Sequence, residues 1–328
     1  MVFSGCGSAT PAQVLTNDAL SQIVETSDEW IRSRTGIGSR HLLPPDQSLT
    51  DLAIAAGKSA IAMAGIESAE IDLVILATST PDDLFGSASK VAHGLGATRA
   101  VGFDLTAACS GFVFAFSVAS QFIQAGTYQK VLVIGADALS RWLDWEDRRT
   151  CVLFGDGAGA VVCQTSEHQG LVGFELYSDG SRNHCLTLGL SSGRKTLGEG
   201  QVDTGKYNTL QMNGREVYRF AVDKVPEVME KLLYRTETQP EQLDWLVLHQ
   251  ANQRIMDAVA KRLKLDPERV ISNLGQYGNT SAASIPIALD EAVRDGKIQP
   301  GDLIATAGFG AGLSWGAALI RWGENGWS

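Results

Sequence analysis

Short apolar runs punctuate the chain at Leu73–Ala77, Val131–Gly135, Ala160–Cys163, Leu246–His249 and Leu303–Thr306. None alternates strictly between apolar and polar residues, which is how strands read when helices cover both faces. Longer stretches such as Leu49–Ala64 and Gly111–Ala125 lie between them and carry helical periodicity. Strands alternating with helices predict an α/β fold built on a parallel sheet.

The pattern also repeats weakly. Ile71-Asp-Leu-Val-Ile-Leu parallels Leu243-Asp-Trp-Leu-Val-Leu, with Cys109 37 residues after Asp72 and Asn279 35 after Asp244. Cys109 to Leu132 spans 23 residues and Asn279 to Leu303 spans 24, and each interval holds a helix of small residues. Phe154-Gly-Asp-Gly and Phe309-Gly-Ala-Gly then read as the openings of similar Gly-rich hairpins, the first after an inserted stretch, Ser140–Leu153, that holds Arg141, Arg148 and Arg149. Duplicated halves face equivalent loops toward one another, so Cys109, Asn279 and His249 are expected to converge. Residues 1–168 and 169–328 are read as the two halves. Chance similarity between βα units is the plainer alternative.

Composition narrows the class without naming the chemistry. With 44% hydrophobic and 20% charged residues and 35 glycines, 328 residues supply one large core or two medium ones. A net charge of -10 and no clustered Lys/Arg excess exclude nonspecific nucleic-acid binding, though a local basic rim can still bind an acidic ligand. Five cysteines at positions 6, 109, 151, 163 and 185 match no zinc pattern or disulfide framework and suit a reducing cytosol, with no metal expected. Phe3-Ser-Gly-Cys6 has a faint lipoprotein-site look but lacks the basic residues and apolar run of a signal, so Cys6 is read as the start of a buried strand. No run of about twenty apolar residues predicts a membrane span.

Three residues stand where chemistry is commonly sited. Cys109, in Asp104-Leu-Thr-Ala-Ala-Cys-Ser-Gly, sits at a strand-to-helix elbow, where free N–H groups and the helix dipole favour a thiolate. His249 ends a buried run, at the carboxyl end of a strand where α/β proteins place ligands. Asn279 lies in the small-residue loop Gly275-Gln-Tyr-Gly-Asn-Thr-Ser. Each has a bland reading as well: a small buried hydrophobe, a satisfied histidine, a turn former. His41, His168 and His184 lie in polar, loop-like contexts and His93 on a helix surface, and none is assigned a role. Gly155-Asp-Gly-Ala-Gly and Gly308-Phe-Gly-Ala-Gly lack nucleotide-loop spacing and are read as tight turns offering N–H groups to an oxyanion.

Thr26-Ser-Asp-Glu-Trp-Ile, Arg34-Thr-Gly-Ile, Ala107-Ala-Cys-Ser-Gly-Phe, Phe154-Gly-Asp-Gly-Ala-Gly-Ala, His249-Gln-Ala-Asn and Tyr277-Gly-Asn-Thr-Ser-Ala-Ala-Ser, in that order, resemble the β-ketoacyl-acyl carrier protein synthase III family over nearly the whole chain. The resemblance implies a thiolase fold, a five-layered αβαβα arrangement of two pseudo-symmetric halves, a cytoplasmic homodimer, and no cofactor beyond acyl-CoA as substrate. It implies condensation of acetyl-CoA with malonyl-acyl carrier protein, with Cys109 acylated and His249 and Asn279 holding the malonyl thioester carbonyl. Backbone N–H groups of Cys109 and Ala311 would form the oxyanion hole, although the family often has Gly at the latter position. Thr26, Trp30, Arg34 and Arg148 match CoA contacts. Arg254 matches a carrier-docking arginine, and Arg215 and Arg219 extend that rim. Phe85 resembles a residue that closes the acyl pocket across the dimer, and Phe154 and Phe309 match positions near the cysteine, a tight pocket suited to acetyl primers.

Other classes fit parts of the pattern. A papain-like hydrolase also uses Cys, His and Asn, a non-catalytic relative would bind acyl-CoA without turnover, and a related acyltransferase of specialised metabolism would share the site.

Overall fold

The computed structural model describes residues 1–167 and 170–323. Its first sheet joins β1 (Val2–Ala9), β2 (Leu73–Ala77), β3 (Val101–Leu105), β4 (Lys130–Ala138) and β5 (Asp156–Gln164) in the order β1-β5-β4-β2-β3. The second joins β6 (Leu171–Ser178), β7 (Trp245–Leu248), β8 (Leu303–Gly310) and β9 (Ser314–Arg321) in the order β7-β8-β9-β6. The expected parallel sheet is therefore corrected to two mixed ones. β2 runs parallel to β3 and β4, and β7 to β8, while the remaining pairs are antiparallel. No crossover helix follows β4 or β8, and without one the next strand returns in the opposite direction.

Helix α1 (Asp28–Thr35) leans on the second sheet's outer layer. Helices α2 (Leu49–Ala64) and α3 (Ala88–Leu95) cover the outer face of the first sheet. α4 (Gly111–Gln124) lies between the sheets, α5 (Gly214–Arg235) and α6 (Gln253–Leu263) cover the second sheet, and α7 (Ser284–Arg294) returns to the middle. The result is five layers, αβαβα. α2 shows why the sequence builds it so: Ser48 and Asp51 cap its start reciprocally, and Gly65, at φ 65°, ends it. Its buried stripe of Ala53, Ala56, Ala60 and Ala64 crosses Gly5 of β1, where a Cβ would stand 2.6 Å from Ala64 N.

The halves correspond element by element. Asp72 and Asp244 accept from the N–H groups of Lys130 and Leu303, each pinning the strand that follows. Where β3 flanks β2, the second half keeps one parallel bridge, Val270 to Leu246. A one-turn 3₁₀ helix precedes the central helix in each half, Ala108–Ser110 before α4 and Ser281–Ala283 before α7. Ala108 (φ 47°) and Ser281 (φ 52°) open these elbows in the left-handed region. This alignment corrects the sequence pairing: the counterpart of Cys109 is Ala282, three residues beyond Asn279.

Two local expectations also change. Cys6 lies in mid-β1 rather than at a strand start. Gly155-Asp-Gly-Ala-Gly is no hairpin, because Gly157 and Gly159 run inside β5, where a Cβ on Gly159 would come 2.7 Å from Ile287 N in α7. The Gly308 stretch does end in the β8–β9 hairpin. His93 is exposed on α3 and His41 ends a short strand, whereas His168 and the 168/169 boundary fall outside the described residues.

The elbows meet where β4 has no side chain, since a Cβ on Gly135 would overlap the Ala282 carbonyl oxygen. Gly135→Ala is expected to destabilise the fold by at least about 1–3 kcal/mol, as overpacking does. A denaturation midpoint equal to that of the unsubstituted protein would contradict the contact.

Candidate active site

The first elbow holds Cys109 against the second. Ser281 Oγ donates to Cys109 Sγ at 3.3 Å, and Gly308 and Gly310 of β8 close on the same turn, a Cβ on Gly310 falling 2.6 Å from Cys109 N. Cys109 is 6% exposed. Burial pushes its thiol up to about 12, a larger effect than the lowering by the Ser281 hydroxyl and by Cys109's own backbone N–H. Burial thus opposes the thiolate expected at a helix start, because loss of water outweighs the hydrogen bonds that favour it.

Position for position, the elbows differ in one consequential way. Asp137 of β4 is fully buried, and its Oδ2 accepts from Ala282 N at 3.3 Å while its Oδ1 accepts from Ser79 N and Thr80 Oγ1. The matching residue of β8 is Gly310, so no carboxylate takes up the N–H of Cys109. Ala311, at the following turn, lines a cavity together with Cys109.

His249 follows β7, with its N–H bonded to Ala307 O and its Nδ1 2.7 Å from Ser284 Oγ. Ser284 Oγ also accepts from Gln250 N, which suits a hydroxyl donating to Nδ1 and a ring carrying its proton on Nε2. Burial lowers the imidazole to about 3, so the ring is neutral. Asn279 is held by backbone bonds to Leu153 and Gly155, and its Oδ1 accepts from Ser281 N at 2.9 Å, which leaves the Nδ2 donor for the cavity. Ser281, Ser284 and Asp137 were missed in the sequence. The serines lie inside the Asn279 motif, while nothing local marks Asp137.

One cavity of about 620 Å³ is lined by Cys109, His249 and Asn279 together. Trp30, Arg34 and Arg148 line its mouth, with Arg148 stacked over the Trp30 ring at 5.4 Å. Arg215 and Arg254 join them, as does Arg149, to which no sequence motif points. Thr26 and Arg219 do not line it; Arg219 is exposed on α5, and Arg141 is engaged by Asp82.

A second cavity of about 280 Å³ also reaches Cys109 and is lined by Phe154, Leu139, Trp142, Leu188 and Leu210 among others. Phe309 lies in the larger cavity, packed edge-on to His249 at 5.3 Å. Phe85 is fully exposed and lines neither. Those aliphatic wall residues carried no signal in the sequence, since any buried Leu looks alike.

Family models described as 3-oxoacyl-[acyl-carrier-protein] synthase III and its C-terminal part match residues 103–180 and 233–322. The β-ketoacyl-[acyl-carrier-protein] synthase III of Microcystis aeruginosa is 64% identical, over 99% of this chain and 98% of its own. The chain belongs to the β-ketoacyl-acyl carrier protein synthase III family. The 3-oxoacyl-[acyl-carrier-protein] synthase III of Aquifex aeolicus is 43% identical with a TM-score of 0.90, covering 98% of this chain and 99% of that one. The priming β-ketosynthase of the R1128 polyketide pathway is 33% identical with a TM-score of 0.89, covering 99% and 97%. The five layers are thus those of the thiolase fold, and this synthase III chain is an acyltransferase rather than a papain-like hydrolase.

The neutral histidine has a measurable consequence. An unfolded imidazole protonates near 6.5 and the native one near 3, so the unfolded state binds the extra proton between them. Stability therefore falls as pH drops below about 6.5, by up to about 1.4 kcal/mol per unit from this group. His249→Gln is expected to flatten the acid side of the stability curve, and an unchanged slope would contradict a neutral, buried ring.

Proposed function

We propose that this enzyme starts fatty-acid synthesis by condensing acetyl-CoA with malonyl-acyl carrier protein. The observation that carries the reading is one cavity joining Cys109, His249 and Asn279 behind five arginines, in a chain with so high an identity to a named synthase III. Cys109 sulfur attacks the acetyl thioester, and CoA leaves as the thiol with the proton that Cys109 gives up. The malonyl thioester then loses carbon dioxide, and its enolate carbon attacks the acetyl group, forming acetoacetyl-carrier and expelling Cys109 as a thiolate that takes a proton from solvent.

Neutral His249 and Asn279 suit the second half-reaction. Decarboxylation moves negative charge onto the thioester oxygen, where two fixed donors act most strongly in the transition state. The Ser284 contact keeps the donating proton on Nε2. Backbone N–H groups of Cys109 and Ala311 serve the acyl-transfer oxyanion.

Trp30 and Arg148 stack with the adenine, and Arg34 and Thr26 meet the nucleotide, Thr26 with a buried hydroxyl that has no partner among the described residues. Arg254, Arg215 and the outlying Arg219 attract an acidic carrier at the mouth. Exposed Leu84 and Phe85, together with the open edge of β3, fit a homodimer in which Phe85 meets the partner's acyl cavity. The halves divide at 168/169. Five unpaired cysteines accord with a cytoplasmic site of action, and no described helix is long and apolar enough to cross a membrane.

Mass spectrometry with acetyl-CoA, then malonyl-carrier, tests the scheme. Cys109→Ser is expected to abolish acyl loading, whereas His249→Ala and Asn279→Ala still load but lose on the order of 10²–10³ in condensation rate. Equal loss of loading in all three would contradict this division, and loading without any condensation in the unsubstituted enzyme would favour the specialised acyltransferase. Acetyl-CoA is the expected primer, and a kcat/KM favouring isobutyryl-CoA would overturn that choice.

A further inference from the structure

Away from the nucleophile, at the lip of the large cavity, three donor groups converge that the condensation does not use. The 3₁₀ turn Gly180–Cys185 brings His184 and Cys185 against Glu216 in the first turn of α5. Cys185 Sγ lies 3.0 Å from Glu216 Oε2 and 3.6 Å from His184 Nε2, and the imidazole nitrogen is 3.8 Å from the same carboxylate oxygen. A triangle with these sides has its circumcentre about 2.0 Å from each corner, close to the bond lengths zinc makes to nitrogen and oxygen and a little short of its bond to sulfur.

We propose that His184, Cys185 and Glu216 form a binding site for a zinc-class divalent cation, with the fourth position open to water. The donor set decides the class: one thiolate, one imidazole and one carboxylate suit a borderline-soft tetrahedral ion and disfavour magnesium or calcium, which take oxygen alone. The carboxylate is already oriented, because Asn213 Nδ2 donates to Glu216 Oε1 at 2.9 Å while Asn213 N bonds Cys185 O at 2.8 Å. Such outer contacts fix the first ligands of metal sites. His184 is largely exposed and Cys185 buried, so the ion enters from solvent and seats against a fixed sulfur. In the metal-free protein the Cys185 thiol donates to Glu216, and binding releases that proton to solvent.

The site would tie the turn to the start of α5. Leu186, the next residue, lines both cavities, and Gly214 and Arg215 line the larger one. Metal binding would thus brace one wall of the acyl-CoA entrance without touching the reacting atoms.

Titration of chelator-stripped full-length protein with Co²⁺ tests the proposal, because a thiolate ligand produces a sulfur-to-cobalt charge-transfer band. One equivalent is expected to saturate the band, and Zn²⁺ to displace it. The band should persist in Cys109→Ser, which separates this site from the nucleophile, and vanish in Cys185→Ser. His184→Ala and Glu216→Gln should weaken binding at least tenfold, since loss of an outer contact alone costs about 10–100-fold. Zn²⁺ should raise the Tm of the unsubstituted protein and not that of Cys185→Ser. Should Cys185→Ser fail to fold, the exposed His184→Ala carries the decision. Absence of a saturable band, a band that survives Cys185→Ser, full affinity in a folded His184→Ala, or a band lost in Cys109→Ser would each overturn the site.

Discussion

The structure depends on the contact between two elbows, Ala108–Ser110 and Ser281–Ala283, brought together across the pseudo-symmetry axis. They touch because the residues around them are small. Gly135 faces Ala282, Gly308 and Gly310 face Cys109, and the Cβ that Gly111 lacks would sit 3.6 Å from Ala282 Cβ. Each elbow feeds a central helix, so their contact also sets how α4 and α7 fill the layer between the sheets. A side chain on Gly135 or Gly310 would push the two halves apart and with them the walls of the cavity.

Near symmetry makes the departures from it informative. At one elbow a buried carboxylate, Asp137, takes up the N–H of Ala282; at the other Gly310 stands in the same place, packed too close to Cys109 N for a side chain, and supplies no carboxylate to that N–H. One elbow is closed by a carboxylate of the opposite half, and the other borders the cavities. The same dry enclosure raises the Cys109 thiol and lowers the His249 imidazole, because burial opposes charge of either sign. A neutral thiol beside a neutral ring suits a site that develops charge only once substrate enters.

Charge is divided as sharply as shape. The chain carries a net charge of -10, yet Arg34, Arg148, Arg149, Arg215 and Arg254 converge on one mouth. They come from four separate stretches of sequence, and their clustering exists only in the folded chain. Arg34, Arg148, Arg215 and Arg254 were accessible through family resemblance, residue by residue; Arg149 and the aliphatic walls of the smaller cavity were not, since neither charge nor apolarity singles out one residue of its kind.

By itself the sequence determined the helical and strand segments, because periodicity and capping act over a few residues: Leu73–Ala77 and Leu49–Ala64 stand as read. It also determined the family, through motifs whose order survives without coordinates. Strand direction, the true counterpart of Cys109, and the protonation of thiol and imidazole were decided by tertiary structure. Those properties depend on what packs against a residue from more than a hundred positions away: Ser281 on Cys109 and Asp137 on Ala282 are contacts that no local pattern encodes. The same holds for His184, Cys185 and Glu216, whose spacing matches no metal motif until the chain folds them onto one point.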